Sequence, residues 1–251
     1  MSVVSIQAVI SAWRSFGWWR DGSSSGTSIF ERRKDSAAVW SDEVEKTRSS
    51  SAALVLESYA EEQIRSLVRQ VFLSGWPKPT RQVVFCGVNG DAKVAELCTH
   101  AATALAGEVA ADVCLVGGCD EGLIHDSSPQ LSRAGFRRSS GQISSNLWMV
   151  PQQVLWDSGR DVCETLCRQL ETLNREFEFS VIQGPAVSEH SRAALLGRAC
   201  DGMVLALEAG ITRRVAAQRA KELLSAAEVN LIGTVLCNRT FPIPDAIYRR
   251  L

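Results

Sequence analysis

Lys93 is the residue on which a chemical interpretation of this sequence depends. It follows the segment GVNGDA at positions 87–92, which itself follows the apolar run Val83-Val84-Phe85. A strand, a glycine-containing loop and a helix beginning near Lys93 are the parts of a phosphate-binding loop, in which backbone N–H groups surround the phosphates and the lysine neutralises their charge. The usual pattern, G-x-x-x-x-G-K-[ST], is incomplete here. Ala92 stands at the last glycine, and Val94 stands where a hydroxyl would bind Mg²⁺.

The segments on either side of this loop predict the framework that would position it. Amphipathic helical patterns separate a series of apolar runs typical of buried strands, at positions 113–116, 147–150, 179–183, 202–207 and 233–237. This alternation predicts an α/β fold, a mostly parallel sheet with helices on both faces. The polar stretch 117–146 is expected to be mainly loop, and Thr212 is expected to cap a helix over 212–227.

The composition bounds the class of protein. The 251 residues carry a net charge of −1, which gives no indication of a nucleic-acid partner. No stretch approaches the roughly 20 consecutive apolar residues that span a membrane, and no secretory leader pattern is expected. The eight cysteines are scattered without a C-x-x-C motif, which is typical of reduced thiols in a cytoplasmic protein. Cys163 and Cys167 share a helix face, and we interpret them as core residues rather than metal ligands.

Residues 1–51 differ from the remainder, and we interpret them as a flexible appendage to a domain at 52–251. Apolar and aromatic residues recur in the appendage at helical spacing, namely Ile6, Val9, Ile10, Trp13 and Phe16. They predict a short amphipathic helix that would dock on a partner or on a membrane surface. Packing on its own domain, or disorder, is the equal alternative, because serine-rich stretches typical of linkers interrupt this region.

A charged ridge precedes the loop on a predicted helix that ends near Leu73. Glu62 and Arg65 are three residues apart, and Arg69 lies one turn further along. Such a ridge is either an interaction surface for a neighbouring subunit or a solvated helix face, and both interpretations remain open.

These landmarks, taken together, carry a resemblance to a known family. The segments that carry it are EEQIRSLVRQVF before the first strand, the strand VVF with its loop, SEHSRAALLGRACDGMVLALEAGITRR, and GTVLCNRTFPIP. From about Tyr59 to Leu251 the chain resembles the bacterial capsular and exopolysaccharide tyrosine autokinases (BY-kinases), which are similar to the septum-placing and partitioning P-loop ATPases. The resemblance implies a three-layer P-loop NTPase fold that places ATP on the loop and holds Mg²⁺ with aspartates ending the second and third strands.

Carried over residue by residue, the resemblance implies a nucleotide site that has lost its metal ligands. The aspartates ending the family's second and third strands are replaced by Gly117 and Gln183, neither of which is anionic. Asp120 is the candidate substitute, and Mg²⁺ is not expected to bind. The residues expected to contact a weakly bound ATP or ADP are Gly87, Gly90, Asp91, Ala92, Lys93, Val94, Asn238 and Arg239.

The tyrosines that such a kinase phosphorylates are missing too. The family carries a tyrosine cluster in its C-terminal tail, whereas this sequence has only Tyr59 and Tyr248 and stops at Leu251. The leading hypothesis is therefore a degenerate relative of these kinases with no confident catalytic residue. It would act as a regulatory or scaffolding subunit in polysaccharide biosynthesis and export.

Two alternatives remain open at the level of sequence. One is an active ATP-dependent tyrosine kinase or ATPase of the same pathway, with Asp91, Asp120 or Glu121 as relocated metal ligands. The other is a cell-division or partitioning adaptor with the same fold. For the leading hypothesis we expect a cytoplasmic protein, or one held peripherally at the inner face of the cell membrane. Its expected partner is a polysaccharide chain-length regulator or another membrane protein of the export system, and a homo-oligomer is compatible with the ridge at Glu62, Arg65 and Arg69.

Overall fold

One eight-stranded sheet organises the part of the chain that the structure describes. The structure is a computed structural model and describes residues 4–6, 60–74, 80–90, 93–118, 136–156 and 162–238. The strands are β1 Val4–Ile6, β2 Gln82–Gly87, β3 Val113–Val116, β4 Gly141–Ser144, β5 Leu147–Val150, β6 Phe179–Gln183, β7 Gly202–Glu208 and β8 Leu231–Cys237. Their order in the sheet is β1-β8-β7-β2-β6-β3-β5-β4. All neighbours are parallel except β4 and β5, which pair antiparallel.

Helices cover both faces of this sheet. The first, α1, spans 60–68 and continues as a π-helical turn over Arg69–Leu73. The others are α2 Lys93–Glu108, the short α3 Phe136–Ser139, α4 Val162–Glu176, α5 Arg192–Ala199 and α6 Arg214–Ala226, with a 3₁₀ turn at Gln152–Leu155. None of the described helices is long and apolar enough to cross a membrane.

Alternating side chains of the central strands supply two cores. Val83 and Phe85 of β2 point to the face covered by α1 and α2, whereas Val84 and Cys86 point to the face covered by α4, α5 and α6. Because β2 is buried at every position, its residues must be apolar on both faces, as its sequence QVVFCG nearly is. The predicted α/β fold, with a mostly parallel sheet between two helical layers, is confirmed.

Away from the candidate site, the structure differs from the sequence-based expectations in three places. Part of the stretch 117–146 is regular, since α3 and β4 lie within it. Ile6 belongs to β1, which pairs with β8, so a helix cannot include it; the remainder of the predicted helix lies outside the described residues. Cys163 and Cys167 are exposed rather than core, because Leu166, Leu170 and Leu173 form the buried face of α4.

Arg69, a member of the predicted interaction ridge, is held by its own domain. Its guanidinium donates two hydrogen bonds to the carboxylate of Glu108, with Nε–Oε2 at 3.1 Å and Nη2–Oε1 at 2.8 Å. This pair joins the π-helical turn to the C-terminus of α2. Glu62 lies 3.8 Å from Arg69 and 3.9 Å from Arg65, so the ridge is a connected set of exposed ion pairs. Its role as an interaction surface stays a prediction.

The Arg69–Glu108 pair predicts a small pH-dependent contribution to stability. The hydrogen bond from Arg69 lowers the pKa of Glu108 below its ordinary value of 4.5. A carboxylate with a lowered pKa stabilises the fold above its unfolded pKa and loses that contribution as the pH falls through the folded pKa. Arg69→Ala should therefore lower the melting temperature slightly at pH 7, and the difference from the parent should shrink as the pH falls through the lowered pKa of Glu108. Arg65→Ala, which removes only contacts of 3.7 and 3.9 Å, is the matched control, and an equal effect at both positions would contradict this account.

Candidate functional site

The loop residues lie where four parallel strands end side by side. β7, β2, β6 and β3 are neighbours in that order, so their carboxyl ends, at Glu208, Gly87, Gln183 and Val116, line one edge of the sheet. In open α/β sheets this edge is where ligands bind. As the sequence predicts, β2 ends at Gly87 and α2 begins at Lys93.

Lys93 forms an ion pair with Glu208, the last residue of β7. The ammonium contacts Oε1 of the carboxylate, and the two side chains are 34% and 5% exposed respectively. Asn238 donates a second hydrogen bond to the same oxygen, with Nδ2–Oε1 at 2.8 Å. The lysine that would neutralise a phosphate is therefore neutralised by a buried carboxylate of its own chain.

Local backbone contacts hold Glu208 in this position. Its N–H donates to the hydroxyl of Thr212 at 2.8 Å, and its carbonyl accepts from the N–H of Thr212 at 2.8 Å. Thr212 thus closes the turn after β7 and does not cap α6, which begins at Arg214. Sequence reasoning did not single out Glu208. The sequence does contain one indication of its role, because Glu208 is the only charged residue in the apolar strand GMVLALE. A buried glutamate almost always has a partner, so this position predicts an ion pair.

A second carboxylate reaches the same loop from the segment after β6. The N–H of Gly90 donates to Oε1 of Glu189 at 2.9 Å. A Cβ at position 90 would lie 2.8 Å from Glu189 Oε2, so the carboxylate packs directly against the glycine. The segment is aligned by backbone bonds from Val187 N to Gly87 O at 3.0 Å and from Ser188 N to Val88 O at 3.1 Å. In phosphate-binding loops such a backbone N–H points at the ligand, whereas here it donates its hydrogen bond to Glu189.

Gln183, at the position of the family's metal-binding aspartate, serves as a link between strand ends. Its Oε1 accepts a hydrogen bond from the N–H of Gly118 at 2.8 Å, and its carbonyl accepts one from Gln152 Nε2 at 2.9 Å. Gly117, with φ +84°, brings the backbone so close that a Cβ there would lie 2.7 Å from Gln183 Oε1. The position is neutral, and its side-chain oxygen already accepts a bond.

In this structure the described groups that would contact phosphates and Mg²⁺ are bonded to other residues of the chain. The lysine and a loop N–H are engaged by Glu208 and Glu189, and Gln183 is bonded to Gly118. Val94 is 4% exposed and belongs to the core, so it presents nothing to a metal. Among the described residues, no group of three or more His, Cys, Asp or Glu side chains is arranged to hold a metal ion. The remaining predicted site residues, Asp91, Ala92, Asp120 and Arg239, lie outside the described residues.

Cys86 of β2 and Cys200, which comes just before β7, are not poised as nucleophiles. Burial raises the pKa of the Cys86 thiol to about 12. Burial also raises the pKa of Cys200, and the neighbouring Asp201, Cys86 and Cys167 raise it further. Because the thiolate is the reactive form, these residues act as packing groups at neutral pH.

Comparison with known proteins decides the fold. No protein-family profile matches the chain, and no curated protein sequence is similar to it. Solved structures do match. The kinase domain of the Escherichia coli tyrosine kinase Etk superposes with a TM-score of 0.60 at 16% identity, over 74% of this chain and 79% of that one. The chain has the fold of these bacterial tyrosine-kinase domains.

Two further structures support the same conclusion. The BceF tyrosine kinase domain matches with a TM-score of 0.55 at 19% identity, over 71% of this chain and 77% of that one. The cell-division protein MinD of Aquifex aeolicus matches with a TM-score of 0.51 at 17% identity, over 68% and 72%. The predicted resemblance to BY-kinases and to the related P-loop ATPases is thus confirmed at the level of fold, which does not by itself carry their activity.

Proposed function

We propose that this chain is a non-catalytic relative of the exopolysaccharide tyrosine autokinases that regulates or scaffolds a polysaccharide synthesis and export system. The observation that carries the proposal is the ion pair between Lys93 and the buried Glu208. Phosphoryl transfer depends on positioned positive charge and on metal ions that neutralise the phosphates. Here the positive charge is already compensated, and the strand end that would hold the metal carries Gln183.

The pathway and the partner rest on the sequence resemblance and on the shared fold. A kinase fold that has lost its chemistry keeps its surfaces, and the described ridge at Glu62, Arg65 and Arg69 is one of them. A membrane protein of the export system, such as a chain-length regulator, remains the proposed partner. Peripheral association with the membrane through that partner is part of the same proposal.

Titration with ATP tests the loss of catalysis. We expect the purified protein to show no autophosphorylation with radiolabelled ATP and no Mg²⁺-dependent ATP affinity tighter than about 100 μM by calorimetry. The informative variant is Glu208→Ala, which removes the carboxylate from Lys93 and leaves every loop residue unchanged. If ATP binds this variant and not the parent, occupation of Lys93 is the cause of the loss. A Mg²⁺-dependent affinity tighter than about 100 μM in the parent would overturn the proposal.

A further inference from the structure

A separate cavity opens at the same edge of the sheet, on the side of β6 away from β7. It has a volume of about 320 Å³ and is lined by Gln152, Gln153, Trp156, Pro185, His190 and Arg192. These residues follow β5 and β6, whereas Lys93 and Glu208 belong to the ends of β2 and β7. The hydrogen bond from Gln152 to the Gln183 carbonyl ties the segment after β5 to the end of β6, which gives the cavity a fixed wall.

Arg192 is held at this cavity by an aromatic ring rather than by an acid. Its guanidinium carbon lies 5.1 Å from the centre of the Trp156 ring, within the range of a cation–π contact. Among the described residues no carboxylate forms an ion pair with Arg192 or His190. The adjacent acid, Glu189, is turned away to the N–H of Gly90. By contrast, Arg198 on the same helix pairs with Glu228 at 3.6 Å. Among the described residues around the cavity, Arg192 therefore presents a positive charge that no acid neutralises, and its N–H groups can donate to an anion.

The remaining lining groups suit a planar ring. Pro185 and the part of the Trp156 ring that neither Arg192 nor the core covers offer apolar surface for a ring. Gln153 carries an amide that can both donate and accept, and Gln152 keeps its carbonyl oxygen and one N–H beyond the bond to the Gln183 carbonyl, as the edge of a nucleobase requires. Arginine recognises phosphate through its planar fork of donors, and His190 adds a ring donor beside it. Ligand cavities usually range from about 300 to 1,000 Å³, so this one has room for one mononucleotide and not for a dinucleotide.

We propose that the cavity lined by Trp156, Arg192 and the Gln152–Gln153 amides binds a nucleoside monophosphate. The base stacks on Trp156 and Pro185 and meets the glutamine amides, and the phosphate pairs with Arg192. This binding requires neither Mg²⁺ nor Lys93, and it is independent of the proposed loss of phosphoryl transfer.

Calorimetric titration of the full chain with AMP and with UMP, in the presence of EDTA, tests the proposal. We expect binding of at least one of them, and Arg192→Ala should weaken it by about tenfold or more, since a charge-assisted hydrogen bond is removed. Arg198→Ala, on the same helix, is the matched control and should change the affinity less than about twofold. Trp156→Phe should retain binding and Trp156→Ala should lose it, because the former keeps a ring for stacking.

The location of the binding is tested separately. The double variant Lys93→Met/Glu208→Gln should bind AMP or UMP as the parent does. Loss of binding in that variant with retention in Arg192→Ala would place the nucleotide at the phosphate loop and overturn the proposal. Equal binding of inorganic phosphate, or no binding of either nucleotide at millimolar concentration, would also overturn it. Because Arg192 is exposed, Arg192→Ala should fold as the parent does, which a melting curve verifies.

Discussion

Replacing Lys93 with methionine is expected to lower the free energy of unfolding by about 2–3 kcal/mol. The substitution leaves the carboxylate of Glu208, which is 5% exposed, with Asn238 as its remaining partner. Removing one member of a fully buried pair costs about 3–5 kcal/mol, and the smaller value reflects the partial exposure of Lys93. The measurement is denaturant unfolding at pH 7. In an active kinase of this fold the same substitution would be expected to remove activity, whereas here we expect it to remove stability.

A double-mutant cycle separates the ion pair from other effects of the substitution. Glu208→Gln keeps the shape and the bond from Asn238, and Lys93 can turn to solvent, so a loss of about 1 kcal/mol is expected. The double variant Lys93→Met/Glu208→Gln should also lose only about 1 kcal/mol, which gives a coupling energy of about 2–3 kcal/mol between the two residues. A coupling energy near zero would show that Lys93 and Glu208 are not paired in solution.

Replacing Gly184 with alanine should be the second large effect, a loss of about 1–3 kcal/mol of stability. Gly184 follows β6, and a Cβ there would lie 2.3 Å from the sulfur of Cys86 and 2.8 Å from Cγ1 of Val84. Both neighbours are fully buried in β2, so neither can move aside without disturbing the core between β2 and β6. Thermal or denaturant unfolding measures the effect.

Two companion variants make this result specific. Gly107→Ala lies in α2, where a Cβ meets no atom within 4 Å, and it should be neutral or stabilise by up to about 0.5–1 kcal/mol. Cys86→Ala combined with Gly184→Ala removes the sulfur and should recover part of the lost stability. Equal effects of Gly184→Ala and Gly107→Ala would mean that the close approach of β2 and β6 is absent.

The framework of this protein is readable from sequence because its strands are continuous apolar runs. The runs ending at Val116, Val150 and Gln183 have the length of buried strands, and the helices between them follow from helical periodicity. The segment 136–144 was not predicted because it contains only two large apolar residues, Phe136 and Ile143, and they define neither a helical nor a strand period. Its β4 pairs with β5 on one side only and is largely exposed, so it lacks the apolar run that identified the others.

The position of the candidate site could be predicted from the sequence, but the contacts that its residues make could not. The order of strand, loop and helix placed Lys93 correctly at the sheet edge. Its partner Glu208 lies 115 residues away, and no local pattern relates them. Glu189 is similarly distant from Gly90, at a separation of 99 residues. The absence of the two aspartates could be predicted because the resemblance implies their positions in the sequence. The carboxylates that contact the loop could not be predicted, since those contacts depend on which strand ends are neighbours in the folded sheet.

The contact of Glu208 with Lys93, together with that of Glu189 with Gly90, has a consequence for how this fold is maintained. A protein whose phosphate loop awaits a nucleotide gains stability from it by mass action, in proportion to the logarithm of ligand concentration. A carboxylate attached to the same chain is present at a fixed local concentration that dilution does not change. The chain therefore carries its own counter-ions at this loop, and the charge of Lys93 is compensated without a bound nucleotide.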